Sequence, residues 1–319
     1  MAAQNNSLSA IESAILQTIT YVDVFDYPLT PAEVHRYLIG ISAPAEKVTQ
    51  ILSNGRLVPK QLNRRDGYFF LSGRSEIVET RHRREAVSRK MWPIAQKYGR
   101  LLAALPFARM VAITGSLAVN NVDSAADIDY LIVTEHGRLW VCRAWTILLV
   151  RLAARRGVHL CPNYFLSECH LRFEEQNLYT AHELAQMVPV AGLPVYRQMR
   201  QLNSWTADFL PNATGFPQKS DNSYMDTQNR MRRLPTSLTE GMLRTPPGGW
   251  IERWEMKRKI RKFSLMTGGD ESAFSADWCK GHFDGHRQRV LDEFDNHWQQ
   301  VTQSHPASVP QESVANYES

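Results

Sequence analysis

Two short apolar runs in the middle of the sequence each meet small or acidic residues at one end. The first run ends in Gly-Ser at 115–116, and the second, residues 128–134, starts beside Asp127 and has Asp129 as its second residue. Apolar runs of this length predict two buried strands. Because residues i and i+2 of a strand point to the same face, Asp127 and Asp129 should project side by side.

Two neighbouring carboxylates at a strand end predict a cation site. Carboxylate oxygens are hard ligands that suit Mg²⁺ or Mn²⁺ better than zinc, and Mg²⁺ commonly combines one or two carboxylates with substrate phosphates. Gly115 would let a phosphate approach the backbone closely, and the Ser116 hydroxyl can bond a phosphate oxygen. The segment therefore predicts a site for a metal-bound phosphate compound.

The whole pattern is Gly115-Ser116, a spacer of ten residues, and Asp127-x-Asp129 flanked by apolar residues. It resembles the signature of the DNA polymerase β-like nucleotidyltransferase superfamily, which includes antibiotic and minimal nucleotidyltransferases. The resemblance covers roughly residues 97–170. It implies that Asp127 and Asp129 are catalytic and bind the metal, and that Gly115 and Ser116 hold the phosphates of an NTP such as ATP. The implied reaction transfers a nucleoside monophosphate to a hydroxyl or phosphate acceptor of unknown identity.

The family usually supplies a third carboxylate from the strand after the intervening helix. Here that strand, residues 158–166, contains no Asp or Glu. Asn163 stands where the acid is expected, and Glu168 could reach the site only if the strand continued. Two alternatives follow: a weak or acceptor-assisted transfer with two carboxylates, or a degenerate fold that binds a nucleotide without turning it over.

Two arginines and a His-Glu pair are weaker candidates. Arg138 and Arg143 open the helix after the second strand, where either could touch a triphosphate or simply face solvent. His182-Glu183 lies on a helix in the region where the family often builds its base or acceptor pocket, but ordinary helix surface is the favoured interpretation. Cys279, His282 and His286 would share one face of a predicted helix, but three ligands make an incomplete zinc site.

The expected fold is α/β (α+β), with a small mixed-sheet nucleotidyltransferase core between two other regions. Three helical patterns and a hairpin centred on Asp66-Gly67 resemble a winged helix. Helices are expected at 76–104, 139–156 and within 174–210, and another at 275–300. The predicted divisions are 1–80 (winged helix), 81–211 (nucleotidyltransferase-like), 212–249 (polar, flexible linker), 250–302 (C-terminal helices) and 303–319 (disordered tail).

The net charge of +5 is compatible with phosphate-bearing partners but is unevenly placed. Residues 81–100 hold seven Lys or Arg against one Glu, whereas residues 1–80 hold seven against eight acids. The winged helix is therefore slightly acidic, so DNA binding through it, as a regulator, is a weaker alternative to a nucleotide substrate. With no visible signal peptide or apolar span, a cytoplasmic protein without a membrane partner is expected.

Overall fold

The structure is a computed structural model that describes residues 8–217, 235–264, 275–280 and 285–303. Its N-terminal part contains helices α1 (Ala10–Asp23), α2 (Pro31–Arg36) and α3 (Ala45–Asn54), followed by strands β1 (Leu62–Arg65) and β2 (Tyr68–Leu71). The capping box predicted at Thr30 and Glu33 is confirmed, and a second one starts α1. The predicted hairpin is also confirmed, because β1 and β2 pair antiparallel across Asp66-Gly67.

The rest of the chain is built around one mixed sheet. Its elements in chain order are α4 (Ile77–Ala103), β3 (Ala108–Ile113), α5 (Gly115–Ala118), β4 (Ile128–Thr134), α6 (Leu139–Ala154), β5 (Leu160–Ser167), α7 (Leu178–Gln186), β6 (Val188–Ala191), α8 (Leu193–Leu202), α9 (Thr206–Phe209), α10 (Pro235–Leu243), α11 (Pro246–Ser264), β7 (Trp278–Lys280) and α12 (His286–Gln303).

The sheet runs in the order β6-β3-β4-β5-β7, with β4 in the middle. Strand β3 pairs antiparallel with both β4 and β6, β4 pairs parallel with β5, and β5 pairs antiparallel with β7. The predicted mixed α/β class and the strands around 111–114, 128–134 and 158–166 are therefore confirmed.

Alternate residues of β4 pack on opposite faces of the sheet, as a strand requires. Tyr130 and Ile132 belong to a core that α4 and α6 cover. Leu131 and Val133 belong to a second core that α7 and α8 cover. Asp129 alternates with Tyr130, so its side chain lies on the α7 side of the sheet.

The N-terminal helices share their core with later parts of the chain. Apolar residues of α1, α2 and α3 form one cluster with Leu178 and Ala181 of α7 and with Phe294 and Trp298 of α12. The boundary at residue 80 stays a prediction, but these helices pack directly against the helix that covers the Asp129 side of the sheet.

Helix α4 joins the same N-terminal part through a buried arginine. The Arg81 side chain is 2% exposed and forms ion pairs of 2.8 Å with both Glu33 and Glu85. Its guanidinium also lies 4.0 Å from the centre of the Tyr27 ring. Part of the basic run on α4 is thus neutralised by acids within the fold.

Two predictions of secondary structure were wrong, and one strand was not predicted. Residues 188–191, which lie between the two helices expected within 174–210, form the edge strand β6. Residues 278–280, expected to be helical, form β7. Cys279 therefore shares no helix face with His286, and His282 lies outside the described residues. Part of the predicted linker, 235–249, is helical, because Pro246-Pro247 starts α11 rather than ending a loop.

The predicted tail from 304 onward and residues 218–234 of the predicted linker lie outside the described residues. Among the helices that the structure describes, none combines the length and apolar character needed to cross a membrane.

Candidate functional site

Asp127 and Asp129 stand where the sheet meets the loop that follows α5. Asp129 is the second residue of β4 and is half-buried, and Asp127 is exposed just before the strand. The Thr114 backbone N–H donates a 3.1 Å hydrogen bond to the Asp129 carbonyl, which fixes the end of β3 beside the start of β4. Antiparallel pairing thus brings the Gly-Ser segment beside Asp129.

Gly115 lies against the Asp129 side chain. Its φ is +64°, and a Cβ at this position would come within 2.5 Å of Asp129 Oδ2. Both the left-handed backbone and the close contact require glycine here. Ser116 follows in the first turn of α5, half-exposed, with its carbonyl accepting a 2.8 Å hydrogen bond from the Asn121 N–H.

Contacts with the N-terminal part hold the loop after α5. The Tyr27 hydroxyl donates a 2.6 Å hydrogen bond to the Val119 carbonyl. Arg84 of α4 donates to the Phe25 carbonyl at 2.9 Å and to Asn121 Oδ1 at 3.3 Å. The loop that carries the Gly-Ser segment is therefore fixed by both α4 and the N-terminal helices.

A bulge in β5 aims Asn163 at Asp129. Asp129 pairs with Cys161 and Tyr130 with Pro162, but Leu131 pairs with Tyr164, so Asn163 is an extra residue in the ladder. Proline has no N–H to donate, and bulges accommodate it within a sheet. Asn163 Nδ2 donates a 3.3 Å hydrogen bond to Asp129 Oδ1. Asn163 Oδ1 is buried and has no hydrogen-bond partner among the described residues.

Cys161 lies directly opposite Asp129 in the ladder. Burial raises the pKa of its thiol to about 12, and the charges of Asp129 and Asp127 and a hydrogen bond to Asp129 act in the same direction. The thiol is therefore protonated at neutral pH and serves as a neutral hydrogen-bond donor. Both residues of β5 that face Asp129, Cys161 and Asn163, are uncharged.

Helix α7 supplies a polar wall, of which the sequence had singled out only Glu183, as a less favoured pocket residue. Burial raises the pKa of Tyr179, and the negative charges of Glu183 and Asp129 raise it further. Burial also raises the pKa of Tyr164 on β5, with a further contribution from Glu183. Tyr179 and Glu183 are one helical turn apart, so they lie on the same face of α7. The sequence shows this spacing, but only the packing of α7 on the sheet shows that the face is turned toward Asp129.

His182 is not a surface residue, contrary to prediction. It is 3% exposed and stacks on Tyr21, with ring centres 4.2 Å apart. Burial lowers the pKa of His182 to about 4, so the imidazole is neutral at physiological pH. It belongs to the core that α7 shares with α1, and it takes no part in the polar wall.

The structure does not bring Glu168 to Asp129. Glu168 follows the last residue of β5, and its N–H donates to the Thr134 carbonyl at the far end of β4. Because β4 and β5 are parallel, Glu168 is about five strand residues, or about 16 Å, from Asp129. The idea that Glu168 supplies the third carboxylate is therefore wrong, and its carboxylate instead accepts a hydrogen bond from the His136 N–H.

Arg138 and Arg143 also lie away from the carboxylates. Arg138 precedes α6 beyond the far end of β4 and packs over the Phe107 ring at 5.4 Å. Arg143 packs over the ring of Phe165, which pairs with Ile132 and faces the α6 side of the sheet. The alternative in which either arginine touches a triphosphate beside Asp127 and Asp129 is therefore contradicted, because α6 starts at the opposite end of β4.

The residues present fit a magnesium ion with few protein ligands. Two carboxylates and the buried Asn163 Oδ1 offer hard oxygen donors on one edge, and Mg²⁺ commonly fills its remaining positions with water and phosphate oxygens. Among the described residues no group of three or more His, Cys, Asp or Glu could by itself enclose a metal ion.

Comparisons of the chain with protein-family models, with curated proteins and with solved structures find no match.

Proposed function

We propose that this protein is a metal-dependent nucleotidyltransferase that transfers a nucleoside monophosphate from an NTP to a hydroxyl or phosphate acceptor. One observation carries the proposal: the Gly115 backbone lies against the Asp129 carboxylate, so close that a Cβ would come within 2.5 Å of Oδ2. The contact holds the Gly-Ser segment directly beside the carboxylate that would bind the metal in this proposal. The core would then be a nucleotidyltransferase domain between a winged helix and C-terminal helices, in a cytoplasmic protein.

The chain's own residues bind and orient the triphosphate in this mechanism. Asp127 and Asp129 would hold Mg²⁺, which lowers the cost of the charge that develops on the α-phosphate and pyrophosphate. The Ser116 hydroxyl would donate to a phosphate oxygen, and the absence of a side chain at Gly115 leaves room for the Asp129 carboxylate beside this segment. An acceptor oxygen attacks the α-phosphorus in line, and the bond to pyrophosphate breaks. Asn163 and Cys161 orient the Asp129 carboxylate through their hydrogen bonds.

The test is release of pyrophosphate from each of the four common NTPs in the presence of Mg²⁺ or Mn²⁺. The wild type should release pyrophosphate. The rate for Asp129→Asn should be at least about a hundredfold lower, as expected for removal of a metal ligand. Asp208→Asn, at an exposed position on α9, is the matched control and should behave as the wild type. Equal rates for Asp129→Asn and the wild type would exclude this chemistry.

A second candidate function is nucleotide binding without turnover. It is favoured by the uncharged pair Cys161 and Asn163, which occupy the strand from which a third carboxylate would come. Calorimetric binding of Mg·NTP together with no pyrophosphate release, with candidate acceptors present, would support a nucleotide sensor. Absence of any NTP binding would exclude both candidates.

The N-terminal part supports a winged-helix assignment, because Leu29 bridges Phe69 and so adds a third extended segment to the hairpin. The charges of this part give less support to DNA binding, because arginines of the hairpin are engaged within the fold. In the hairpin Arg65 pairs with Glu79, and Arg64 lies over the Phe69 ring at 5.6 Å. A DNA-binding regulator would show a mobility shift with duplex DNA that weakens steeply with salt, and a shift insensitive to salt would count against it.

A further inference from the structure

Helix α6 exposes a line of large apolar side chains. Trp145, Leu148 and Leu152 are exposed by 42%, 47% and 42%. Their spacing of three and four residues puts them on one face of the helix. The opposite face, which includes Trp140 and Cys142, is buried under the sheet and under α11. The exposed line is therefore an outer face, separate from the packing of α6 in the core.

Helix α11 exposes a second set of apolar side chains next to the first. Trp250, Ile251 and Trp254 are exposed by 63%, 41% and 53%. Between them Glu252 turns inward, and its carboxylate accepts 2.8 Å hydrogen bonds from the backbone N–H groups of Trp140 and Val141 at the start of α6. This contact fixes the two helices side by side, so their outer faces adjoin.

The charges on these outer faces have one sign. Helix α6 contains no Asp or Glu, and the two acids of α11, Glu252 and Glu255, are both buried. The exposed charged residues of the two helices and of the turn after α6 are all cationic: Arg151, Arg155, Arg156, Arg253, Lys257, Arg258 and Arg261. We call the outer faces of α6 and α11, with these cations and the six exposed apolar residues, the basic aromatic face.

We propose that the basic aromatic face docks on the surface of a bilayer that contains anionic phospholipids. Interfacial helices lie in the membrane plane with Trp and Leu inserted at the headgroup boundary and with Lys and Arg paired to anionic headgroups. Three exposed tryptophans among these exposed cations match that chemistry, although Arg258 is already paired with Glu255. Neither helix exposes an acid, so no carboxylate on this face would be repelled by an anionic surface.

This inference differs from the expectation that the protein has no membrane partner, which rested on the lack of a spanning segment. A peripheral surface needs no such segment. The inference does not depend on the proposed nucleotidyl transfer. It would place the site of Asp127 and Asp129 on the other face of the sheet from α6, turned away from the bilayer.

The test is flotation of the full chain with vesicles of phosphatidylglycerol and phosphatidylcholine, compared with phosphatidylcholine alone. Binding should require the anionic lipid, fall with rising salt and shift tryptophan emission to the blue. Leu148→Ser combined with Trp254→Ser should weaken binding about tenfold or more, and so should Arg253→Gln combined with Lys257→Gln. The matched controls are Leu202→Ser and Arg197→Gln, both at exposed positions of α8, and they should bind like the wild type.

Circular dichroism and thermal unfolding of each variant confirm that it is folded before its binding is compared. The proposal is overturned if the wild type does not bind anionic vesicles, or if the variants on α6 and α11 bind as well as the controls. It is equally overturned if the same variants abolish self-association or RNA binding while vesicle binding is unchanged, because a second copy or RNA would then be the occupant.

Discussion

Asn163 Nδ2 donates a 3.3 Å hydrogen bond to Asp129 Oδ1, across the bulge that Pro162 introduces into β5. An amide therefore occupies the place where a carboxylate would complete a three-acid site. It stabilises the charge of Asp129 without metal, whereas a carboxylate would repel it. If the proposed metal site is correct, the identity of this residue should determine how strongly the charge of Asp129 needs a cation.

Asn163→Asp should make the protein sensitive to magnesium. Without metal, a second negative charge next to Asp129 should lower the free energy of unfolding by about 1–2 kcal/mol. Added Mg²⁺ should restore the free energy of unfolding. The Tm of Asn163→Asp should therefore rise more with Mg²⁺ than the Tm of the wild type does. Gln201→Glu, an exposed charge addition on α8, is the control and should show the wild-type response. If the Tm of Asn163→Asp does not change with Mg²⁺, a cation site at Asp129 is contradicted.

Gly115→Ala should separate backbone strain from damage to the site. Alanine at φ +64° costs about 1 kcal/mol, and its Cβ would also displace the Asp129 carboxylate. Gly137→Ala is a matched control, since Gly137 has φ +67° and no atom within 4 Å of an added Cβ. Denaturant unfolding should show a loss for both variants, but only Gly115→Ala should lose Mg·NTP affinity. If both variants bind Mg·NTP with equal affinity, Gly115 is not part of the nucleotide site.

Arg81→Met should destabilise the junction between α4 and the N-terminal helices. Burial alone would raise the pKa of Glu33, but Arg81 and the hydrogen bonds from Thr30 outweigh it and lower the pKa. Loss of Arg81 leaves this carboxylate without its main counter-charge, at a cost of about 3–5 kcal/mol. Arg81→Met combined with Glu33→Gln should recover part of the loss, because glutamine can still cap α2. Urea unfolding measures both variants, and additive losses would contradict the coupling.

His182 should make stability depend on pH in the acidic range. The folded chain binds the proton only near pH 4, whereas an unfolded histidine binds it near 6.5. Between these values the unfolded chain takes up a proton that the folded chain does not, so the free energy of unfolding falls on acidification, by up to about 3 kcal/mol. His182→Phe keeps the stacking on Tyr21 and should lose this part of the pH dependence, as urea unfolding at pH 7 and pH 4.5 would show. His170→Phe, at an exposed position, should retain it.

The sequence predicted those parts of the fold that local pattern determines. The strand that carries Asp129 follows from its apolar run, and the hairpin at Asp66-Gly67 follows from its turn residues. The placement of Gly115 near Asp129 is what the family resemblance implied. Strands β6 and β7 were missed because each is short, three or four residues, and becomes a strand only by pairing with an edge of the sheet. A short segment carries too little periodicity to separate it from a helix.

The sequence could not predict which other residues lie near Asp129, because that depends on the topology of the sheet. The positions of Arg138 and Arg143 depend on which end of β4 begins α6, and Glu168 was excluded by the parallel pairing of β4 and β5. Tyr179 and Glu183 entered the site only through the packing of α7 on one face of the sheet. These relations are tertiary, and no local pattern of residues reports them.

The most direct test of the account is calorimetric titration of the protein with Mg·NTP, which measures the proposed site whether or not transfer follows. The wild type should bind in Mg²⁺ and lose affinity when the metal is chelated. Asp129→Asn should bind at least about tenfold more weakly, a loss of about 1.4 kcal/mol or more, and Asp208→Asn should bind normally. Affinity that is unchanged in Asp129→Asn, or that does not depend on the metal, would contradict a nucleotide site at Gly115, Asp127 and Asp129.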